Sequence, residues 1–374
     1  MNRDCRLFIP GPCDVDEDVL EAMRHQVQRS YGAKWMPIYN ETLDLLKQVF
    51  QTRNDLFIVP GPGSAGLDMV LGSLFANGEK VIVAQNGFFG ERLAAIAECN
   101  GLNVVRVGAP AGQPLDPNDL RRALAGHPDA LLVALVHHET TTTVLNPLHE
   151  LAAVTREAGR LLLVDAVSSL GGAELPLDDW GIDVCVTASN KCLEAPPGLA
   201  LISVGPKVWE MVDRHARTDH GWYLNLRTWR WYATNWGDWH PTPITMPTNN
   251  IMALRASLLK IAKVGLAAHI AKHARACRIV RDGLRKMGFE LLVADEFAAP
   301  TATAVWPRKE FTAAELIQWL EAERGICIGG GIGELAGKIF RVGHLGKSTT
   351  DEYLAEFWSA MAAFLHHKGL VIHL

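Results

Sequence analysis

A chain of 374 residues in which 48% of the side chains are hydrophobic has material for two packed domains, so a marginal mini-domain is excluded. Its 36 basic and 41 acidic residues leave a net charge of -5 without any Lys/Arg block, which argues against a nucleic-acid partner. No run approaches the roughly 18 apolar residues of a membrane span, and MNRDCRLFIPGP at the N-terminus is too short in apolar residues for a signal peptide; a soluble, cytoplasmic protein with no membrane partner is expected.

In chain order, Asp14 or Asp16 can cap a first helix running to about Gln28, and Asn40 a second to about Gln51. Strand-like runs then alternate with helical ones. DLFIV, KVIVA, NVVRV, ALLVALV and RLLLVDA are separated by helices after Gly63 and over 89–99, 117–125 and 148–158. This alternation predicts an α/β domain whose largely parallel sheet is covered by helices on both faces. In such a sheet the site lies outside the carboxyl ends of the strands, where Ser64, Thr140, Asp165 and Lys191 emerge.

Two of those strand ends carry the chemistry. LLLVDAVSSLGG ends an apolar run on Asp165, and VTASNKCLEAPPG ends another in a polar turn with Lys191. Alone, either residue reads more readily as a capping acid or a solvated loop lysine. Together they suit pyridoxal phosphate: a lysine amine forms the Schiff base, and a carboxylate keeps the pyridine nitrogen protonated so that the ring accepts carbanion electrons.

The remaining motifs each have a rival reading. Gly61, Gly63 and Gly66 form a literal GxGxxG between a strand and a helix, which a nicotinamide-dependent dehydrogenase would use. Such a site wants an acid at the end of the next strand, and this chain has Gln85 and Asn86 there. The same helix N-terminus can hold one phosphate through the amides of Gly63 and Ser64. In HHETTTTVLNP, His138 and Glu139 begin like a zinc HExxH motif, but position 142 is threonine and the reading fails; no metal is expected. Thr140 there can donate to a cofactor ring oxygen or merely cap a helix. Phe89 in NGFFGER can stack on a flat ring or join the core.

From Thr218 to Pro247 the chain holds five of its 11 tryptophans (Trp222, Trp229, Trp231, Trp236 and Trp239) without clear periodicity. So many large rings imply a covered segment, packed on the sheet or a second subunit, or else lining a substrate pocket. A long helical stretch from about Asn250 to Met287, broken near Gly265, precedes a tail reading strand, strand, helix, strand, strand, helix, which suits a smaller α+β domain. Within that tail KIFRVGHLG embeds Arg341 in an apolar strand; the guanidinium wants an anion, either a substrate carboxylate or a protein acid. GGGIGELAG just before it reads as a flexible loop able to close over a small ligand. Seven scattered cysteines with no CxxC read as reduced thiols, with Cys192 a packed one.

The succession PGP (Pro10 to Pro12), GxGSAG, NGFFGER, HHETTTTVLNP, VDAVSSLGG, SNKCLEAPPG and FRVGHLG resembles the class V, fold type I pyridoxal phosphate enzymes over about residues 8–345. It is most similar to alanine:glyoxylate and serine:pyruvate aminotransferases, with ETTT and NKC leaning toward 2-aminoethylphosphonate:pyruvate transaminases. Cysteine desulfurases carry histidine where Asn190 precedes the lysine. The resemblance implies an N-terminal segment over 1–20, a large cofactor domain over 21–260 and a small domain over 261–374. It implies a homodimer that moves an amino group from an alanine- or serine-like donor to glyoxylate or pyruvate. Lys191 would carry the cofactor and shuttle the proton, Asp165 would pair with the ring nitrogen, and Phe89 would stack on the ring. Thr140 and Val167 would contact the ring, and Gly63, Ser64 and Asn190 the phosphate, with Thr245 supplied by the neighbouring subunit. Arg341 and the backbone near Gly11 would bind the substrate carboxylate.

Overall fold

The computed structural model describes residues 5–214 and 220–370. Among them the strands are β1 (Arg6–Phe8), β2 (Asp55–Pro60), β3 (Lys80–Gln85), β4 (Asn103–Gly108), β5 (Leu132–Val136), β6 (His138–Glu139), β7 (Val144–Leu145), β8 (Leu161–Asp165), β9 (Val184–Ala188), β10 (Leu199–Val204), β11 (Glu290–Leu291), β12 (Ala302–Trp306), β13 (Ile326–Gly330) and β14 (Phe340–Gly343). Seven of them form one sheet in the order β2-β10-β9-β8-β5-β3-β4. Only β10 runs against its neighbours. The carboxyl ends of β2, β5, β8 and β9 therefore share one edge.

β5, β8 and β9 are buried along their whole length, as expected for apolar runs covered on both faces. Helices Gly63–Leu74, Phe88–Cys99, Pro117–Gly126 and Leu148–Glu157 lie where the alternation puts them, within a residue or so at each end. A second sheet, β1-β13-β14-β12-β11, is mixed. Its core joins Phe8 to apolar side chains between Ala276 and Leu365, whereas the core of the large sheet runs from Trp35 to Ile261. The tail follows the expected order, with helices Ala313–Arg324 and Asp351–His367 between and after the strand pairs. The long helical stretch is indeed two helices, Thr248–Val264 and Leu266–Lys286, hinged at Gly265 with φ 86°.

Several expectations fail for tertiary reasons. The first helix stops at Glu17–Glu21, well short of Gln28. The side chains of Asn249 and Thr248 take hydrogen bonds to the carbonyls of Met23, His25 and Gln28, which holds that stretch in a non-helical path. The second helix, Met36–Phe50, begins four residues before Asn40, with proline in its first turn, so Asn40 is no cap. The glycine run is not an open loop: Gly329 and Gly330 end β13, Gly331 donates to the Ile339 carbonyl at 2.9 Å, and Gly333–Leu335 is a short turn of helix.

The tryptophan segment is partly ordered as the helix Leu226–Asn235, capped by the Asn225 side chain; residues 218–219 lie outside the described residues. Trp229 is buried in the large core, but Trp222, Trp231 and Trp239 remain 57%, 49% and 43% exposed. Trp229 thus meets the expectation of packing within the chain, and the three exposed rings are those that the second-subunit alternative concerns.

Candidate active site

A cavity of about 390 Å³ opens at the shared carboxyl edge of β2, β5, β8 and β9. Gly63, Ser64, Phe89, Thr140, Asp165, Val167, Asn190 and Lys191 all line it. Asp165 closes β8 and is nearly buried; one carboxylate oxygen accepts from the Val167 amide at 2.9 Å. Burial raises its pKa from 3.8 to about 6, against the pull of that amide and of the Arg92 and Lys191 charges.

Lys191 stands in the turn after β9. That turn is braced from outside: Ser257 donates to the Leu193 carbonyl at 2.6 Å, Ser189 donates to the Pro196 carbonyl at 2.6 Å, and His269 bonds the Cys192 carbonyl at 2.8 Å. The amine donates to the Pro10 carbonyl. Burial brings its pKa down to about 8, and the Arg341 charge acts in the same direction. Gly11, at φ 114°, lies against the lysine tip; a Cβ there would collide with Nζ, so only glycine lets the amine reach this position.

The helix Gly63–Leu74 opens on the cavity, presenting amides without helical partners to an anion. A Cβ on Gly63 would lie 2.5 Å from Val167 Cγ2, so this helix end and the strand β8 turn meet only because residue 63 has no side chain. Phe89 is placed by Glu139. This fully buried carboxylate accepts from the amides of Phe89 (3.1 Å), Gly90 (3.0 Å) and Thr141 (2.9 Å), tying the start of the helix Phe88–Cys99 to β6 and the turn after it.

Arg341 in β14 is buried, yet no carboxylate among the described residues lies within ion-pair distance of it. Its Nε donates to the Gly330 carbonyl at 2.8 Å and Nη1 to the Thr140 carbonyl at 2.9 Å. Burial lowers its pKa to about 10, opposed by Glu139. The protein-acid reading of Arg341 thus finds no partner. Arg341 and Gly11 stand behind the cavity wall rather than in it, each touching a lining residue, while Thr245 is exposed on the loop before the helix Thr248–Val264 and does not line this cavity.

Other lining residues escaped the sequence reading or, like His138, entered it only in the failed zinc motif. Arg92 sits 4.8 Å from the Phe89 ring centre, Ser168 accepts from the Thr140 hydroxyl at 2.6 Å, and His138 lines the wall two residues before Thr140. The alternation of a strand end was the available signal for His138, since residues 138 and 140 point to one side and Glu139 to the other. The site's chemistry fits pyridoxal phosphate: a helix end for a single phosphate, a buried acid and a buried amine in one cavity, and the flat walls of Phe89 and Val167. It does not fit a dinucleotide, because β3 ends in Gln85 rather than an acid.

Comparison with known proteins agrees with this chemistry. Residues 7–340 match the family described as Aminotransferase class-V. An uncharacterized aminotransferase of Methanocaldococcus jannaschii is 35% identical over 349 residues, covering 93% of this chain and 90% of that protein. The crystal structure of ureidoglycine-glyoxylate aminotransferase from Bacillus subtilis matches with a TM-score of 0.94 at 29% identity, covering 100% of this chain and 96% of that one. Alanine--glyoxylate aminotransferase from Nostoc sp. matches with a TM-score of 0.93 at 31% identity, covering 98% and 96%. With its seven-stranded, mostly parallel sheet, its smaller mixed sheet and this match over nearly its whole length, the chain belongs to the class V aminotransferases, fold type I enzymes of a family that uses pyridoxal phosphate.

Proposed function

We propose that the protein binds pyridoxal phosphate in this cavity and moves an amino group from a small alanine- or serine-like donor to glyoxylate or pyruvate, in two half-reactions. The observation that carries the reading is the meeting of a buried amine, Lys191, and a buried carboxylate, Asp165, at the carboxyl ends of adjacent strands, beside an open helix N-terminus. The bound cofactor supplies an electron sink for the pair left on the donor's Cα. Lys191 anchors it and then, with an amine pKa near 8, is neutral often enough near neutral pH to take the Cα proton and hand it on. Asp165 holds the ring-nitrogen proton, Gly63, Ser64 and Asn190 hold the phosphate, and Phe89, Val167 and Thr140 hold the ring.

Arg341, a buried cation hydrogen-bonded among the described residues only to carbonyls, takes the donor's carboxylate beside the Gly11 backbone. The same cation would serve a phosphonate donor, the second reading, which the ETTT and NKC motifs favour. Glyoxylate as acceptor is supported by the names of the similar Bacillus and Nostoc proteins. A second copy of the chain supplies Thr245, which is exposed and does not line its own cavity.

The test is an absorbance scan of purified protein with pyridoxal phosphate, repeated with alanine, serine and 2-aminoethylphosphonate while the acceptor is withheld. One donor is expected to bleach the visible cofactor band, and Lys191→Ala to have neither band nor turnover. A spectrum unchanged by pyridoxal phosphate would overturn the reading.

A further inference from the structure

Cys5 and Cys327 come from opposite ends of the chain and meet in the small sheet, where β1 runs parallel to β13 with Leu7 opposite Cys327. Side chains alternate along a strand, so Cys5, two residues before Leu7, points to the same side as Leu7 and Cys327. Phe8, Ile326 and Ile328 take the other side, in the core of the small domain. Both thiols therefore stand off that core, and each is half-buried. Glu321, exposed in the last turn of the helix Ala313–Arg324, brings its carboxylate to the same point. The two sulfurs and a carboxylate oxygen all lie within 4.8 Å of one another.

Three acids gather here without a base. The Glu321 carboxylate makes no hydrogen bond or ion pair among the described residues. The neighbouring arginines are engaged elsewhere: Arg6 pairs with Glu352 at 3.2 Å and Glu356 at 2.7 Å, and Arg324 lies over the Trp319 ring. Burial, the Cys5 thiol and the charges of Glu321 and Asp14 push the Cys327 thiol up to about 12, so without a cation it keeps its proton.

A disulfide does not suit the pair. An offset of two residues along neighbouring strands sets the Cα atoms about 8 Å apart, beyond the reach of an unstrained S–S bond. An ion spans that gap: zinc holds thiolate sulfur at about 2.3 Å, which asks the two sulfurs to stand about 3.8 Å apart. Two soft thiolates with one carboxylate suit zinc, whereas calcium and magnesium take oxygen ligands.

We propose that Cys5, Glu321 and Cys327 hold a zinc ion, with water in the fourth position, as a clip between the N-terminal strand and the small domain. Binding releases the two thiol protons to solvent and moves no electrons. β1 is three residues long and meets β13 through three register pairs, so an ion at its start secures a short strand. Beyond β1 the same segment brings Pro10 to Lys191, whose amine donates to the Pro10 carbonyl. The site is independent of the aminotransferase reading.

The test uses the full chain, reduced by a phosphine and freed of metal by a chelator, with zinc affinity measured by competition with a chromophoric chelator. One zinc per chain is expected, and zinc X-ray absorption should report two sulfurs at about 2.3 Å. Cys5→Ser with Cys327→Ser should weaken binding at least about 100-fold, and Glu321→Gln about 10-fold. Zinc should raise the melting temperature of the parent and leave that of the double variant unchanged, while the two metal-free proteins melt alike. Absence of stoichiometric zinc, a metal shell without sulfur, undiminished affinity in the double variant, or isolation of the protein with Cys5 and Cys327 joined as a disulfide would overturn the proposal. Should the double variant fail to fold, Glu321→Gln and the absorption spectrum of the parent decide.

Discussion

Asp165 is ionised at neutral pH in a place that favours its neutral form. Its carboxyl binds a proton more tightly in the folded chain, at about 6 against an ordinary 3.8. Between those values the native state holds more protons than the unfolded one, so stability falls as pH rises from about 4 to about 6 and stays lower above it. The loss is on the order of 3 kcal/mol at neutral pH. Asp165→Asn removes the charge and keeps an oxygen for the Val167 amide. Without cofactor, the variant is expected to melt several degrees above the parent at pH 7.5, a gap that closes as pH falls toward 4; equal melting temperatures at pH 7.5, read by circular dichroism, would refute this. With cofactor and donor, the proposed pairing of Asp165 with the ring nitrogen predicts the reverse order, with turnover collapsing in Asp165→Asn. Both Asp165 and Lys191 were legible in the sequence because Asp165 ends an apolar run and Lys191 sits in the turn just after another, and a strand's end fixes where the polar residues at it go. The places of Arg92 and His138 at the cavity were not, since they depend on which neighbours the fold brings beside them.

Glu139 shows how one buried side chain sets two elements at once. Its carboxylate receives three amides, two from the start of the helix Phe88–Cys99 and one from the turn after β6, so it holds Phe89 over the cavity floor from beneath. Glu139→Ala strands those donors away from water and should cost about 3 kcal/mol of stability. It should also weaken pyridoxal phosphate binding several-fold as Phe89 drifts. Glu139→Gln, which keeps one acceptor oxygen, is expected to lose about half as much in chemical unfolding. A cofactor affinity unchanged in Glu139→Ala would separate the helix start from the ring site. The sequence marked this helix from its periodicity, but Glu139 was seen only as part of a failed zinc motif, because its partners lie 49 and 50 residues away in the chain. The helix ending at Glu21 was misjudged for a related reason: its continuation was stopped by Asn249 and Thr248, and no local pattern near Gln28 reports a side chain more than 200 residues distant.

The two sheets follow from what the chain repeats. Apolar runs alternating with amphipathic helices gave most of the large sheet, and the tail's strand and helix order most of the small one; the antiparallel β10 between β2 and β9 and the joining of β1 to β13 need the three-dimensional register. What one chain does not explain is its aromatic surface. Tyr31, Trp239, Trp236, Trp231 and Trp222, with Tyr232 between the last two, form a continuous chain of ring contacts 5.0–6.4 Å apart, and three of its tryptophans are 43% to 57% exposed. Exposed apolar surface of this kind on a folded domain is normally buried by association, and aromatic rings dominate the energetics of such interfaces. Thr245 lies six residues beyond Trp239, so a second copy packed on this surface would bring that threonine with it. The parent protein is expected to sediment with the mass of two chains. Trp231→Ser with Trp239→Ser should shift it toward one chain at micromolar concentration. If Thr245 crosses to the partner's cavity, the same double variant should also bind pyridoxal phosphate at least several-fold more weakly, and raising the protein concentration should restore both properties together. A double variant that keeps the two-chain mass would remove these rings from the interface. One that dissociates while binding the cofactor as tightly as the parent would show each cavity to be complete within its own chain.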